Sequence, residues 1–97
     1  MILELAVLDV IPEREAEFER AFATAQTIIA AQAGYIDHAL QRCIENPHRY
    51  VLLVRWETLA AHTEGFRGGP DYARWKELLH HFYEPFPSVE HYTAVVP

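Results

Sequence analysis

The chain has 97 residues, of which 51% are hydrophobic, and its formal net charge is −6 at pH 7. This length is that of one domain, which we expect to span residues 1–97, and the composition excludes a disordered or low-complexity chain. The eight Lys and Arg residues are scattered along an acidic chain, so the charge pattern argues against nucleic-acid binding.

The first residues indicate a soluble, cytoplasmic protein that does not bind a membrane. No basic leader precedes the apolar stretch after Met1, and Glu4 and Asp9 interrupt it, so it is too short and too polar for a signal peptide or a membrane span. Cys43 is the only cysteine, which excludes an intrachain disulfide, and nothing requires an oxidising compartment. We expect its side chain to be buried.

The first two predicted elements are a strand and an amphipathic helix. Residues 2–11 are rich in Leu, Val and Ile, which is typical of a central strand buried on most of both faces. Pro12 suits the first turn of a helix, and Gly34 is expected to end it. Between them, the apolar residues that recur at helical spacing are Phe18, Phe22, Ala25 and Ile29.

Two further strands are predicted over residues 35–45 and 50–57. The intervening residues 46–49 have the composition of a turn, so the two strands should form a hairpin. Thr58 then suits the N-cap of a short helix over residues 59–66, in which His62 shares the apolar face.

The last predicted elements are a helix and a strand. The breaker at residues 68–70 precedes a helix over residues 71–83, and two prolines in residues 84–87 end that helix before a strand over residues 88–96. The apolar face of this helix consists of Tyr72, Trp75, Leu78, Leu79 and Phe82.

This order of elements predicts an α+β fold, a ferredoxin-like (βαββαβ) antiparallel sheet with helices on one face. The first and third strands are apolar on both faces, so the face without helices needs a second cover. We therefore expect a homodimer in which two sheets pack face to face.

A candidate small-molecule site lies in the run from Trp56 to His62. Tryptophan offers a flat apolar wall for an aromatic ligand, and histidine exchanges a proton near neutral pH. Six residues apart across a strand-to-helix junction, the two side chains can share one pocket. The alternative interpretation is that both are ordinary core residues.

Other histidines and nucleophiles give weaker patterns. His80 and His81 point roughly 100° apart on a helix and so cannot share a ligand, which favours a solvated or capping role. His38 and His91 lie on separate predicted strands and could converge. No pair of histidines has metal-ligand spacing, and the single serine, Ser88, lacks a nucleophile elbow, so we predict neither a metal site nor a covalent mechanism.

The stretch Tyr50–His62, YVLLVRWETLAAH, resembles the antibiotic biosynthesis monooxygenase family, in which a strand ends in Trp and a His follows a short spacer. The first strand, Pro12 with its helix, and the Pro87–Val89 segment also fit, so the resemblance covers nearly all of the chain as a single domain. The family consists of small proteins that form a dimeric α/β barrel and includes quinone-forming oxygenases. The homodimer predicted above is what this resemblance implies.

The resemblance implies a cofactor-independent monooxygenase that oxidises a small phenolic or quinol-type aromatic with O2. A deprotonated substrate passes an electron to O2, and the resulting peroxide loses water to leave a quinone. No flavin, haem or metal takes part. By resemblance His62 and Trp56 are the catalytic residues, and the substrate-binding residues are Leu52, Tyr72, Trp75 and Lys76.

Three positions depart from the oxygenases of this family. Leu52 stands where a polar Asn precedes the Trp, His62 stands where those enzymes have Tyr, and Lys76 falls roughly where an Arg is expected. Two alternatives therefore stay open. One is a haem-binding or haem-degrading relative of the same fold, with His80 as the iron ligand. The other is a non-catalytic dimeric protein that binds a ligand or serves a stress response.

Overall fold

The computed structural model describes residues 1–96 and contains four strands, β1 (Ile2–Asp9), β2 (Tyr35–Arg42), β3 (Arg49–Trp56) and β4 (Ser88–Tyr92). They form one antiparallel sheet in the order β2-β3-β1-β4.

Two α helices, α1 (Glu15–Ala30) and α2 (Tyr72–Leu79), cover one face of the sheet and contact each other. A π-helical segment (Ala61–Phe66) precedes α2, and a 3-10 turn (His80–Phe82) follows it. The predicted ferredoxin-like α+β fold is confirmed.

The central position of β1 is explained by its sequence. Side chains of a strand alternate between faces, and β1 is apolar on both faces apart from Glu4 and Asp9. It pairs with β3 through Leu5 and Leu53 and with β4 through Leu5 and Glu90, so both of its edges are hydrogen-bonded. The predicted central strand is confirmed.

The core lies between the inner face of the sheet and α1. The four residues predicted from helical spacing, Phe18, Phe22, Ala25 and Ile29, are all buried. The ring of Phe18 packs 4.9 Å from that of Tyr50 on β3, and the ring of Phe22 packs 6.0 Å from that of Trp75 on α2. Burying a Phe side chain stabilises the fold by about 1.5–3 kcal/mol, so this one stripe fixes α1 against the sheet.

Several element boundaries differ from the prediction for local reasons. α1 begins at Glu15 rather than near Pro12, because Glu13 has a positive φ of 75° and the chain turns there. β4 ends at Tyr92 rather than Val96, because Tyr92 pairs with Leu3 and β1 itself begins only one residue before that.

The end of β2 changes the expected environment of Cys43. β2 stops at Arg42, so Cys43 lies outside the strand and is half-buried rather than buried, with its Sγ 3.6 Å from Glu45 Oε1. The expectation of a buried cysteine was wrong. The predicted cap is confirmed, since the Ala61 amide donates a hydrogen bond of 3.1 Å to Thr58 Oγ1.

The outer face of the sheet has an apolar centre. Within residues 1–96 no helix covers this face, and its central side chains are half-buried: Leu3, Leu5, Val7, Val51 and Leu53. Charged pairs flank this centre, one between Arg55 and Asp37 and one between Arg49 and Asp9.

The helices in residues 1–96 are too short or too polar to cross a lipid bilayer.

Candidate active site

A cavity of about 410 Å³ lies between the inner face of the sheet and the helical segments. This volume is within the range of about 300–1,000 Å³ that is typical of small-molecule sites. Its apolar and aromatic wall consists of Ala6, Leu8, Ile29, Leu52, Phe66, Tyr72, Trp75, Tyr83, Phe86, Pro87 and Val89. Its wall also includes Glu4, His62, Arg67 and His80.

Glu4 is a buried carboxyl group on the inner face of β1. The residue is only 5% exposed, and its Oε1 accepts a hydrogen bond of 2.9 Å from the indole nitrogen of Trp56, at the end of β3. The same oxygen lies 3.3 Å from His62 Nε2. Burial raises the pKa of the Glu4 carboxyl, while the hydrogen bond from Trp56 and the charge of Arg67 oppose part of that rise.

His62 lies between Glu4 and a second histidine. Its Nδ1 is 2.7 Å from His91 Nε2 on β4, and its ring stacks on Trp56 with centroids 5.3 Å apart. Burial lowers the pKa of His62 to about 3, and the positive charge of Arg67 acts in the same direction. The imidazole is therefore neutral at neutral pH, and its 3.3 Å contact with Glu4 Oε1 is not an ion pair.

The π-helical segment brings His62 and Phe66 to the same side. The Arg67 amide donates a hydrogen bond of 2.9 Å to the His62 carbonyl five residues earlier, as in a π helix. Both His62 and Phe66 are buried, and Phe66 stacks on Trp56 with centroids 6.1 Å apart. Gly69 permits this arrangement, because a Cβ there would collide with the carbonyl oxygen of Gly65.

Four of the residues predicted from the sequence lie on the cavity wall: Leu52, His62, Tyr72 and Trp75. Trp56 does not, because its fully buried ring is covered by His62 and Phe66, and its exposed fraction is 0%. It contacts the site through its hydrogen bond to Glu4 instead of offering a free face to a ligand.

Lys76 does not lie on the cavity wall, contrary to the prediction. The buried residues of α2 are Trp75 and Leu79, four apart, and Lys76 is turned by about 100° from Trp75 into solvent. Its Nζ lies 5.8 Å from the centre of the Tyr72 ring, on the outside of the helix.

His80 occupies a different position from the one expected. It is half-buried on the cavity wall, 5.2 Å from the Phe86 ring and 5.9 Å from the Tyr83 ring, rather than solvated. Burial and the nearby charge of Lys76 lower the pKa of His80.

The predicted convergence of His38 and His91 does not occur. They lie on β2 and β4, the two opposite edges of the sheet. His38 is hydrogen-bonded to Tyr35 and Gln26, whereas His91 contacts His62. In the part of the chain that the structure describes, no group of three His, Cys, Asp or Glu residues is placed to hold a metal ion.

Among the polar residues of the site, sequence reasoning missed Glu4 and Arg67, and it paired His91 with His38 instead of His62. One signal was available for Glu4, since a single carboxylate on the inner face of an otherwise apolar central strand must be buried. Nothing in the sequence indicates the partners of the other two, because their contacts depend on chain segments far apart.

The fold and the site define a ferredoxin-like α+β protein in which an aromatic-walled cavity lies beside a buried carboxyl, Glu4, and the histidine pair His62 and His91. The sequence model of the antibiotic biosynthesis monooxygenase family matches residues 1–78, and the chain belongs to this family. The resemblance seen in Tyr50–His62 is thereby confirmed.

Individual relatives agree with this assignment. The chain is 54% identical over 95 residues to the uncharacterized protein YczJ of Bacillus subtilis (strain 168), covering 98% of this chain and 100% of that protein. The crystal structure of a proposed antibiotic biosynthesis monooxygenase from Bordetella bronchiseptica is 38% identical, with a TM-score of 0.93 over 98% of this chain and 97% of that one.

One similar structure is that of SnoaB, a cofactor-independent oxygenase from Streptomyces nogalater. It is 23% identical, with a TM-score of 0.79 over 99% of this chain and 94% of that one. At this identity the similarity shows a common fold.

Proposed function

We propose that the chain is a cofactor-independent monooxygenase that oxidises a small phenolic or quinol-type aromatic with O2. The observation that carries this proposal is the cavity of about 410 Å³, walled mainly by aromatic and aliphatic groups and bearing a buried carboxyl on its wall. Membership of the monooxygenase family and the common fold with a cofactor-independent oxygenase support it.

The cavity suits a planar, weakly polar ligand. Leu52 and Trp75 offer apolar surface, and the Tyr72 ring stands nearly perpendicular to that of Phe66, at 87°. Aromatic rings favour such edge-to-face contacts, so a substrate ring inserted between these walls gains both burial and orientation. Lys76 has no part in this proposal, because it faces solvent.

The chemistry asks little of the protein beyond orientation and proton transfer. An ionised phenol donates an electron to O2, the two radicals combine to a peroxide, and loss of water leaves a quinone. Holding the substrate close to a proton acceptor, away from bulk water, accelerates the first and last of these steps. In this proposal His62 and Trp56 belong to the group that handles the proton, through their contacts with Glu4.

Oxygen uptake tests the proposal directly. We expect the protein to consume O2 with at least one member of a panel of phenols, quinols and anthrones, and to form the quinone. Filling the cavity with Ala6→Leu should reduce the rate at least tenfold, whereas the matched control Lys76→Ala should not change it. Absence of uptake with every panel member, while the same compounds bind, would favour a non-catalytic binding protein.

A homodimer is part of the proposal. The half-buried apolar centre of the outer sheet face, with charged pairs at its margins, has the pattern of a surface that packs against a second copy. Sedimentation should give a mass near twice 11.2 kDa at micromolar concentration, and the monomer mass would contradict it.

A half-exposed free thiol at Cys43 fits a reducing compartment, so we place the protein in the cytoplasm.

Haem binding is the second candidate, and the position of His80 favours it. A half-buried imidazole on the cavity wall, with a lowered pKa, is neutral at pH 7 and so available to an iron ion. Titration with haem should then produce a Soret band that His80→Ala removes. Without that band the candidate is excluded.

A further inference from the structure

The carboxyl group of Glu4 has one oxygen that is used and one that is not. Both contacts, from Trp56 Nε1 and His62 Nε2, are made to Oε1. Within residues 1–96 no hydrogen bond reaches Oε2, although the side chain is about 6% exposed and lines the cavity. A buried carboxyl with a free oxygen on a cavity wall is able to bind a hydroxyl group there.

His62, in contrast, has no nitrogen left for a ligand. Its Nδ1 is hydrogen-bonded to His91 Nε2 and its Nε2 lies 3.3 Å from Glu4 Oε1, so both ring nitrogens are occupied by neighbouring side chains. Its ring is stacked on Trp56 and the residue is only 3% exposed. It cannot accept a substrate proton without breaking one of these contacts.

We propose that Glu4 is the catalytic acid and base of this site, and that His62 and His91 are positioning residues that act through it. Oε2 takes the hydroxyl proton of the aromatic substrate and later returns it to oxygen. This inference rests on the proposed monooxygenase function and names the residue that performs its proton transfers.

The sequence of bond changes balances with Glu4 alone. The phenolic O–H bond breaks and an Oε2–H bond forms; the phenolate passes one electron to O2, and the two radicals join through a new C–O bond. Glu4 protonates the peroxide anion and then removes the hydrogen from the ring carbon that carries the new C–O bond. The O–O bond breaks, a carbonyl forms, and the proton on Glu4 converts the departing hydroxide to water. One phenol and one O2 give one quinone and one water.

The hydrogen-bond network tolerates both states of Glu4. Trp56 donates to Oε1 whether Oε2 is ionised or protonated, and with its proton on Nε2 His62 lies 3.3 Å from the same oxygen. His91 then donates from Nε2 to His62 Nδ1, which holds that tautomer. Proton transfer at Oε2 therefore leaves the Trp56–Glu4 and His62–His91 hydrogen bonds in place.

The groups around Glu4 affect its strength as a base. The groups that face it are His62 and His91, both with lowered pKa values, and the cation of Arg67. Burial raises the pKa of Glu4, which makes its carboxylate a stronger base, and Arg67 places a positive charge on the cavity wall where a phenolate would form.

Kinetics of paired isosteric variants test the assignment. Glu4→Gln keeps an acceptor for Trp56 and should lower kcat by about 100-fold or more and remove the acidic limb of the pH profile. His62→Gln keeps a donor toward Glu4 and should lose less than about tenfold with the limb retained at a shifted pH. Glu4→Asp, which keeps an acid, should retain the limb. The reverse pattern, in which His62→Gln removes the limb and Glu4→Gln keeps it, would overturn the proposal.

A second measurement needs no turnover. Bound 4-nitrophenol reports its own ionisation by visible absorbance, and two interacting acids titrate in two steps. We expect two steps in the wild type and in His62→Gln, and one step in Glu4→Gln. A single identical step in the wild type and Glu4→Gln, or no binding of this phenol, would refute the role of Glu4. Two steps without O2 uptake would refute only the monooxygenase function.

Discussion

The hydrogen bond between Trp56 and Glu4 provides the sharpest test of how this site is built. Replacing Trp56 by Phe keeps an aromatic ring in the core but removes the indole N–H, which donates to Glu4 Oε1 at 2.9 Å. Trp75→Phe is a matched control, because Trp75 is also buried, at 7% exposed, and its indole nitrogen makes no hydrogen bond within residues 1–96. Both variants lose the same number of atoms.

The expected difference between the two variants follows from the burial of the donor. Loss of the smaller ring volume costs each variant roughly 1–2 kcal/mol in the free energy of unfolding. Trp56→Phe also leaves a buried carboxyl oxygen with one donor fewer, which costs about 1–3 kcal/mol more. We therefore expect Trp56→Phe to lose about 2–5 kcal/mol and Trp75→Phe about 1–2 kcal/mol.

Urea unfolding followed by far-ultraviolet circular dichroism measures both values without relying on tryptophan emission. All proteins are compared at one protomer concentration, because a dimer couples stability to concentration. Equal slopes of the free energy of unfolding against urea concentration would show that the variants expose the same amount of surface when they unfold. Equal destabilisation by Trp56→Phe and Trp75→Phe would refute the importance of the hydrogen bond to Glu4.

Three further predictions concern stability and assembly. The folded-state pKa of His62, about 3, lies below its ordinary 6.5, so the folded state binds fewer protons in that range and loses stability as pH falls through it. Between pH 6.5 and 4, the free energy of unfolding of His62→Gln should fall by about 3 kcal/mol less than that of the wild type, measured by urea unfolding. An unchanged pH dependence would contradict this. Gly69→Ala should cost about 1–3 kcal/mol, because its Cβ would collide with the carbonyl oxygen of Gly65. Gly65→Ala, whose Cβ would make only an ordinary contact of 3.8 Å with the Ala60 carbonyl oxygen, should be nearly neutral in thermal melts. For the proposed dimer, Leu5→Lys should sediment as a monomer, whereas the exposed control Glu57→Lys should sediment as the wild type does. A dimeric Leu5→Lys would place the interface elsewhere.

The sequence was sufficient for features that repeat along the chain. The helical spacing of Phe18, Phe22, Ala25 and Ile29 predicts the buried face of α1, and alternation predicts the inner face of β3. Thr58 caps the following segment as expected. These features depend on backbone periodicity and on contacts within a few residues, which a single sequence displays.

Helix phase limited the prediction of the site. His62 and Trp75 were assigned correctly to the cavity side, but Lys76, adjacent to Trp75, was placed there as well. The resemblance to the family supplied that assignment, and the phase of α2 contradicts it. The π-helical geometry after Ala61 was also missed, because one extra residue per turn leaves no periodic signal in so short a segment.

The sequence by itself determined the order of strands and helices, the core stripe of α1 and a pocket near Trp56 and His62. Only the tertiary structure decided what that pocket contains. Glu4, His62 and His91 come from β1, the π-helical segment and β4, and they meet because the sheet order puts β4 beside β1. Periodicity reports which face of an element is buried, but contacts between distant segments depend on pairing and register, which appear only when the chain is folded.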